Sequence, residues 1–265
     1  MHVSSQVNPL MKPVMVKLGG STLGSGDTTL EDLAALQRKG LPLVLVHGGG
    51  KKVSEWLERL GIATSYERGL RVTDEKTMEV IVAVLGGVVN KEIVAGILER
   101  GGRAIGLSGL DGGMLLARVK DPALGRVGEI VRVDPTPLWK VLEENYIPVV
   151  APFGVEEGGG ALNVNGDTAA AETARALGAQ KLIFLTDVPG VLDGEGKTMP
   201  FLSPQGAKGL ISSGVINGGM LLKVEACFRS LCSCIIIDGR EPHALLNALE
   251  GRARGTRIEG GHELA

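Results

Sequence analysis

Lys17 ends the apolar run Val14-Met15-Val16 and is followed by Leu18-Gly19-Gly20. A lysine in such a strand either snorkels past a turn to water or meets an anion at the carboxyl end of a parallel sheet, where open α/β folds keep their ligand crevice. Gly19 and Gly20 would let backbone come close to that anion. The same logic returns at His47-Gly48-Gly49-Gly50, which joins a second apolar run, Leu41 to Val46, to a helix through Trp56 and Leu60. A glycine run there leaves the first helical N–H groups open to a phosphate or to developing negative charge. It is not a Walker A loop, because no glycine stands at the required position upstream of Gly50-Lys51.

Three further positions carry suitable chemistry. Arg71, in Gly69-Leu70-Arg71-Val72-Thr73, is either a solvated charge or a planar fork for a carboxylate. Asp167, in Asn163-Val164-Asn165-Gly166-Asp167, reads equally as a helix N-cap or as a functional carboxylate, and Asn163 and Asn165 as turn formers. Lys223 falls in the first turns of a helix opened by Gly218-Gly219, and the backbone of Asp187-Val188-Pro189-Gly190-Val191 suits a nucleotide.

The elements that must position these residues alternate. Thr28 with Glu31 predicts a capping box for a helix ending near Gly40. Thr73 is expected to cap a long helix from Asp74 to Arg100, apolar on most sides around Val80 to Val89 and stopped by Gly101-Gly102. Ala104 to Leu107 reads as a strand, Leu115 to Val119 with Val127 to Val133 as a hairpin, Pro137 to Asn145 as a helix and Ile147 to Val150 as a strand. Lys181 to Thr186 and Cys234 to Asp238 are further buried strands, with helices from Ser203-Pro204 and from Glu241 and a short ending at Thr256-Arg257-Ile258.

Composition sets the class. The chain has 265 residues, 44% hydrophobic and 22% charged, with a formal net charge of -2. It can bury a full core, and it has no broad basic face for nucleic acid or an anionic membrane. No apolar run approaches the roughly 20 residues of a membrane span, and His2 to Pro13 lacks the apolar core of a signal peptide, so a cytoplasmic protein is expected. Cys227, Cys232 and Cys234, odd in number and without C-x-x-C, read as reduced packing residues. Forty glycines stand against two Trp, two Tyr and four Phe, so backbone more than side chain is expected to line a ligand.

Taken together, Lys17-Leu18-Gly19-Gly20, His47-Gly48-Gly49-Gly50, Gly69-Leu70-Arg71-Val72-Thr73, Asn163-Val164-Asn165-Gly166-Asp167, Thr186-Asp187-Val188-Pro189-Gly190-Val191 and Gly219-Met220-Leu221-Leu222-Lys223 resemble the amino acid kinase family. Within it they are most similar to the branch whose acceptor is N-acetyl-L-glutamate. The resemblance runs from about Val14 to Ile258. It implies an open αβα sandwich with a mainly parallel central sheet: a flexible tail over 1–13, an N-terminal lobe over 14–178 for the acyl amino acid and dimerisation, and a C-terminal lobe over 179–265 for the nucleotide. The implied reaction is ATP plus N-acetyl-L-glutamate to N-acetyl-L-glutamyl 5-phosphate, in arginine synthesis. Matched motif by motif, Lys17 and Lys223 would contact the transferring phosphoryl group and Asp167 would hold both lysines. Gly49, Gly50, Arg71 and Asn163 would bind the acyl amino acid. Gly19, Gly20, Asp187, Val188, Gly190, Val191 and Leu192 would line the nucleotide, with Mg²⁺ carried on its phosphates and no protein metal site.

The residue types suit that reaction. A carboxylate with a reference pKa of about 4.3 is ionised at neutral pH and needs no general base, so Asp167 is expected to organise and not to abstract. The obstacle is repulsion between an anionic nucleophile and a polyanionic phosphate, which lysines, Mg²⁺ and glycine N–H groups offset. Two alternatives stay open on sequence: a kinase for a carrier-linked aminoadipate, because Leu110 in Gly106-Leu107-Ser108-Gly109-Leu110-Asp111-Gly112 replaces a common basic or polar residue, and a non-catalytic binding protein on the same fold. Gly50 favours acetylglutamate over the first, and the retained lysines and Asp167 oppose the second. A dinucleotide oxidoreductase lacks its G-x-G-x-x-G. Aspartokinase and glutamate 5-kinase usually carry C-terminal domains for which no room follows Ile258. A homodimer through Val80, Ile81, Val84, Leu85 and Val88, with Gly86 and Gly87 allowing close approach, is expected, insensitive to arginine because no long N-terminal arm precedes the first strand.

Overall fold

Apolar strands covered on both faces and amphipathic helices with one apolar stripe can only pack as layers, and they do. The computed structural model describes residues 12–19 and 28–259. Most of the expected tail, and Gly20, lie outside the described residues. In chain order the elements are β1 (Val14–Leu18), α1 (Thr29–Arg38), β2 (Leu43–His47), α2 (Gly50–Arg59), β3 (Tyr66–Glu67), β4 (Leu70–Arg71), α3 (Glu75–Ile81), a π-helical segment (Val82–Val89), α4 (Asn90–Glu99), β5 (Ala104–Gly109), β6 (Leu115–Val119), β7 (Val127–Val133) and α5 (Thr136–Glu143). They continue with β8 (Ile147–Glu156), β9 (Ala161–Val164), α6 (Gly166–Leu177), β10 (Lys181–Thr186), β11 (Phe201–Leu202), α7 (Pro204–Ser212), α8 (Gly218–Arg229), β12 (Ser233–Asp238), α9 (Ala244–Leu249) and β13 (Thr256–Ile258).

Among the described residues the strands other than β3 and β4 form one mixed sheet in the order β11-β13-β12-β10-β1-β2-β8-β6-β7-β9, with β5 also paired to β8. Parallel pairing prevails, as expected from the buried apolar runs. β1 lies between β10 and β2, with Lys17 beside Phe184 and Val46, and Leu18 beside Leu185 and His47. The three strands therefore end along one edge. That edge is where a doubly wound sheet opens its crevice.

Side chains alternate across the sheet with period two. Met15, Val44, Val46 and Phe184 join one core cluster with residues of α6 and α8, whereas Val16, Leu18, Leu43, Leu45 and Ile183 join another with α1, α2 and the Glu75–Glu99 helix. Parity alone thus sends Lys17 toward α6 and α8, and His47 toward α4. Each cluster draws on both halves of the chain, so the core follows the faces of the sheet.

Several local expectations change. Thr28 does not cap α1: its hydroxyl accepts the His243 N–H at 2.6 Å, while buried Asp32 accepts from the His243 ring at 2.7 Å and from Leu246 N. That link ties α1 to α9, whose start is displaced from Glu241 to Ala244. Asp74, not Thr73, caps the long helix by accepting the Thr77 N–H at 2.8 Å. β8 runs on to Glu156, and β9 follows it where only a turn was expected. Glu75–Glu99 is, by length and composition, apolar enough to cross a membrane, contrary to the sequence reading. Its apolar face is instead part of the core, with Ile81, Val84, Ile93 and Ile97 buried. Of the residues expected at a subunit contact, Val80, Ile81, Val84 and Leu85 are buried in this way and Val88 is half-buried, and Gly86 serves Phe153, whose Cζ would lie 3.0 Å from an added Cβ. The three cysteines are free and buried; hydrogen bonding with Cys234, then burial, pushes the Cys232 thiol up, and burial does the same to Cys234.

Candidate active site

Three charged side chains meet at the carboxyl edge of β1. Lys17 Nζ lies 2.7 Å from Asp167 Oδ1, and Lys223 Nζ donates to Asp167 Oδ2 at 3.2 Å. The first contact is an ion pair somewhat off the ideal hydrogen-bond direction. Lys17 arrives because odd-numbered residues of β1 face α6 and α8, Asp167 because it sits in the first turn of α6, and Lys223 because it lies near the start of α8. A Cβ on Gly166 would stand 3.5 Å from Lys17 Cε and 3.7 Å from the His47 carbonyl oxygen, so this position keeps the helix start close against both strands.

Asp167 is buried, which by itself would raise its pKa, but the charges and hydrogen bonds of Lys17 and Lys223 outweigh burial and hold it below the usual carboxylate range. One carboxylate between two ammonium groups leaves a net positive centre in a poorly solvated place. Such a centre favours a polyanion. Asn165, not Asp167, is the N-cap: its Oδ1 accepts the Asp167 and Thr168 N–H groups at 2.9 and 3.0 Å.

A second group of expected residues assembles around Arg71. Its Nη2 donates to the Gly50 carbonyl at 2.9 Å and to Ser54 Oγ at 2.7 Å, and its guanidinium carbon sits 4.8 Å from the Tyr66 ring centre. Its Nη1 is buried with no acceptor among the described residues. A guanidinium nitrogen in that condition has lost water and gained nothing, unless a ligand oxygen completes it. Thr73 joins the group by donating to the Arg71 carbonyl at 2.8 Å and accepting from Asn163 Nδ2 at 3.1 Å. Arg71, Gly50 and Asn163, three of the residues expected at the acyl amino acid, thus belong to one network. Ser54, Tyr66, Thr73 and Asn165 were missed; a serine four residues past Gly50 on the same helix face was the available signal for Ser54.

The glycine run is divided in its duties. The Gly48 N–H donates to Leu18 O at 2.8 Å and extends the β1–β2 ladder. Gly49 has φ +145, and a Cβ there would reach within 2.6 Å of Leu85 Cδ2, so only glycine fits. Its carbonyl accepts Val53 N. Among the described residues no backbone acceptor takes the Gly49 or Gly50 N–H. A cavity of about 150 Å³ adjoins Gly49, lined also by Gly19, His47, Gly48, Lys52 and Glu92.

The residues expected at the nucleotide follow β10. Asp187 and Leu192 are exposed and Val188 is half-buried. Val191 is a core residue whose N–H donates to Thr256 Oγ1 at 2.8 Å, and Gly190 (φ +145) lies against Thr256. The Gly19 N–H bonds Leu185 O at 2.9 Å, so that donor is not free for a ligand.

The chain is similar to known proteins over most of its length. A family model described as the amino acid kinase family matches residues 12–238. An acetylglutamate kinase of Dehalococcoides mccartyi (strain CBDB1) is 41% identical over 258 residues, covering 94% of this chain and 95% of that protein. One of Prochlorococcus marinus (strain NATL1A) is 44% identical over 248 residues, covering 89% and 81%. Among solved structures, a protein from Streptococcus mutans UA159 superposes with a TM-score of 0.82 at 27% identity, covering 94% of this chain and 98% of that one.

Proposed function

The chain belongs to the amino acid kinase family, and from that membership we infer that it transfers the γ-phosphoryl group of ATP to the side-chain carboxylate of N-acetyl-L-glutamate, giving N-acetyl-L-glutamyl 5-phosphate in arginine biosynthesis. The observation that carries a transfer reaction, as against mere binding, is Asp167 held between Lys17 and Lys223. In the reaction a carboxylate oxygen forms a bond to the γ-phosphorus while the bond to the β–γ bridging oxygen breaks and ADP leaves. No proton moves, so no base is required of Asp167.

We assign the roles as follows. Lys17 and Lys223 neutralise the transferring phosphoryl group, and Asp167 fixes their positions. Gly49 and Gly50, which put no side chain in the way, Arg71 through its unpaired Nη1 and Asn163 border the acyl amino acid, and the Gly49 N–H is left for the phosphoryl group. Gly19, Gly20, Asp187, Val188, Gly190, Val191 and Leu192 border the nucleotide. The lobe over 14–178 would then take the acceptor, and that over 179–265 the nucleotide. Mg²⁺ fits as a passenger of ATP, since both Asp167 oxygens face lysines. When bound it would offset phosphate charge. A cytoplasmic homodimer completes the reading, with the open strip of the long helix, Ala83 and Gly87 flanked by half-buried Val82 and Val88, as the contact.

Purified protein incubated with MgATP and N-acetylglutamate, glutamate, aspartate or aminoadipate, with hydroxylamine as the trap, tests the reaction. Acyl hydroxamate from N-acetylglutamate alone is expected; preference for another acceptor would overturn the assignment. Light scattering tests the dimer, and a monomer at assay concentration would reject it.

A further inference from the structure

His47 is absent from the chemistry above, yet its ring is the centre of a buried network. The side chain lies on the α4 side of the sheet and is 1% exposed. Asn90, the first residue of α4, packs against it with Nδ2 3.2 Å from His47 Nε2. The orientation of that amide is fixed independently: Nδ2 also donates to the carbonyls of Val149 at 2.8 Å and Leu107 at 3.2 Å, while Oδ1 accepts from Lys91 Nζ at 3.0 Å. A group that faces two carbonyls must be the NH₂. The NH₂ shares its two hydrogens among these three partners and cannot itself accept, so His47 Nε2 is unprotonated and accepts, and the ring proton resides on Nδ1. Nδ1 in turn lies 2.7 Å from the Gly48 carbonyl, which can only accept. Both ends of the ring demand the same tautomer.

The consequence follows from peptide geometry. In a trans peptide the C=O and the next N–H point in opposite directions. Holding the Gly48 carbonyl toward the ring turns the Gly49 N–H away from it, and among the described residues no backbone acceptor takes that N–H. We propose that His47 is a positioning residue for phosphoryl transfer: its Nδ1–H anchors the Gly48 carbonyl, so that the Gly49 N–H is aimed at the phosphoryl oxygens, and Asn90 enforces the tautomer that makes this possible. This rests on the transfer reaction inferred above. Burial, reinforced by the nearby charges of Lys17 and Lys91, lowers the His47 pKa to about 4, so the ring stays neutral where the enzyme works. The glycine at 49 cannot be replaced by a residue that fixes its own φ, because Leu85 closes the space; the neighbouring peptide must be held from outside.

Two measurements test this. Nitrogen NMR of the labelled wild-type protein at pH 7.5, without substrate, is expected to show His47 protonated at Nδ1; the Nε2–H tautomer would overturn the proposal. Kinetics then separate positioning from packing. His47→Asn puts an amide nitrogen where Nδ1 was and should keep kcat within about threefold, whereas His47→Gln, whose amide reaches only the Nε2 position, should lose about 30-fold in kcat with KM for N-acetylglutamate nearly unchanged, the loss expected when one donor is misdirected. A folded Gln variant with wild-type kcat, or equal loss in both variants, would overturn the role. Should the Gln variant not fold, the tautomer and the Asn variant decide. A wild type with the Nδ1 tautomer that forms no acyl phosphate would instead sink the transfer reaction alone.

Discussion

Asn165 and Asp167 divide the first turn of α6 between them: Asn165 Oδ1 takes the Asp167 and Thr168 N–H groups, which leaves the Asp167 carboxylate entirely to Lys17 and Lys223. Were Asp167 the cap, its oxygens would face its own helix. The Asp167→Asn variant should therefore lose kcat by about 100-fold, as removal of a charge that orders transition-state contacts does. It should also be less stable by about 3 kcal/mol, because two poorly solvated lysines lose their counter-charge. MgATP should raise its Tm more than it raises that of the wild type, since phosphates replace the missing anion; an equal or smaller shift would show that the lysines do not meet the nucleotide.

Lys17→Ala and Lys223→Ala should each lower kcat by about 100-fold while changing KM for the acceptor little, since their charge matters most as negative charge moves in the transition state. Steady-state kinetics on folded variants decides this. Either variant with unchanged kcat loses its catalytic role.

Much of this was legible in residue order. Lys17 could be placed at the carboxyl end of a buried strand from the apolar run before it, and Arg71 and Asn163 could be paired with a carboxylate ligand through the family resemblance. What resisted was the division of hydrogen bonds. Thr28, Thr73 and Asp167 all sit where cap-forming residues belong, yet Thr28 serves His243, Thr73 serves Arg71 and Asn163, and Asp167 serves two lysines. Local propensity names the residues able to cap; tertiary partners, distant in sequence, decide which do. The long helix misled for a related reason. Its apolar girdle predicts burial, but whether Leu85 packs on Gly49 of its own chain or on a second subunit depends on the glycine's backbone, which sequence periodicity does not carry.

Arg71→Lys should weaken N-acetylglutamate binding by about tenfold and leave nucleotide binding nearly intact. The guanidinium holds Gly50 and Ser54 with Nη2 and has Nη1 to spare, whereas one ammonium cannot reach both directions. Calorimetry with each ligand separately reads the difference. Equal losses for both would indicate a general folding defect and remove Arg71 from the acceptor site.

His47 gives the fold a specific acid sensitivity. Its pKa, near 6.5 in an unfolded chain, is lowered to about 4 in the folded protein, with burial the largest cause. Below pH 6.5 the unfolded chain therefore binds a proton that the folded chain refuses, so stability present above that pH is lost as pH falls toward 4. The gap between 6.5 and about 4 corresponds to about 3 kcal/mol in total. Other groups titrate alike in the wild type and in His47→Asn, which has nothing to protonate at that position. Urea unfolding of both proteins at pH 7.5, 5.5 and 4.5 should accordingly show the wild type losing more stability than the variant on acidification, by about 2 to 3 kcal/mol at the lowest pH. Parallel losses in the two proteins would mean that the ring is protonated in the folded state and that the hydrogen bond from Asn90 to Nε2 does not exist.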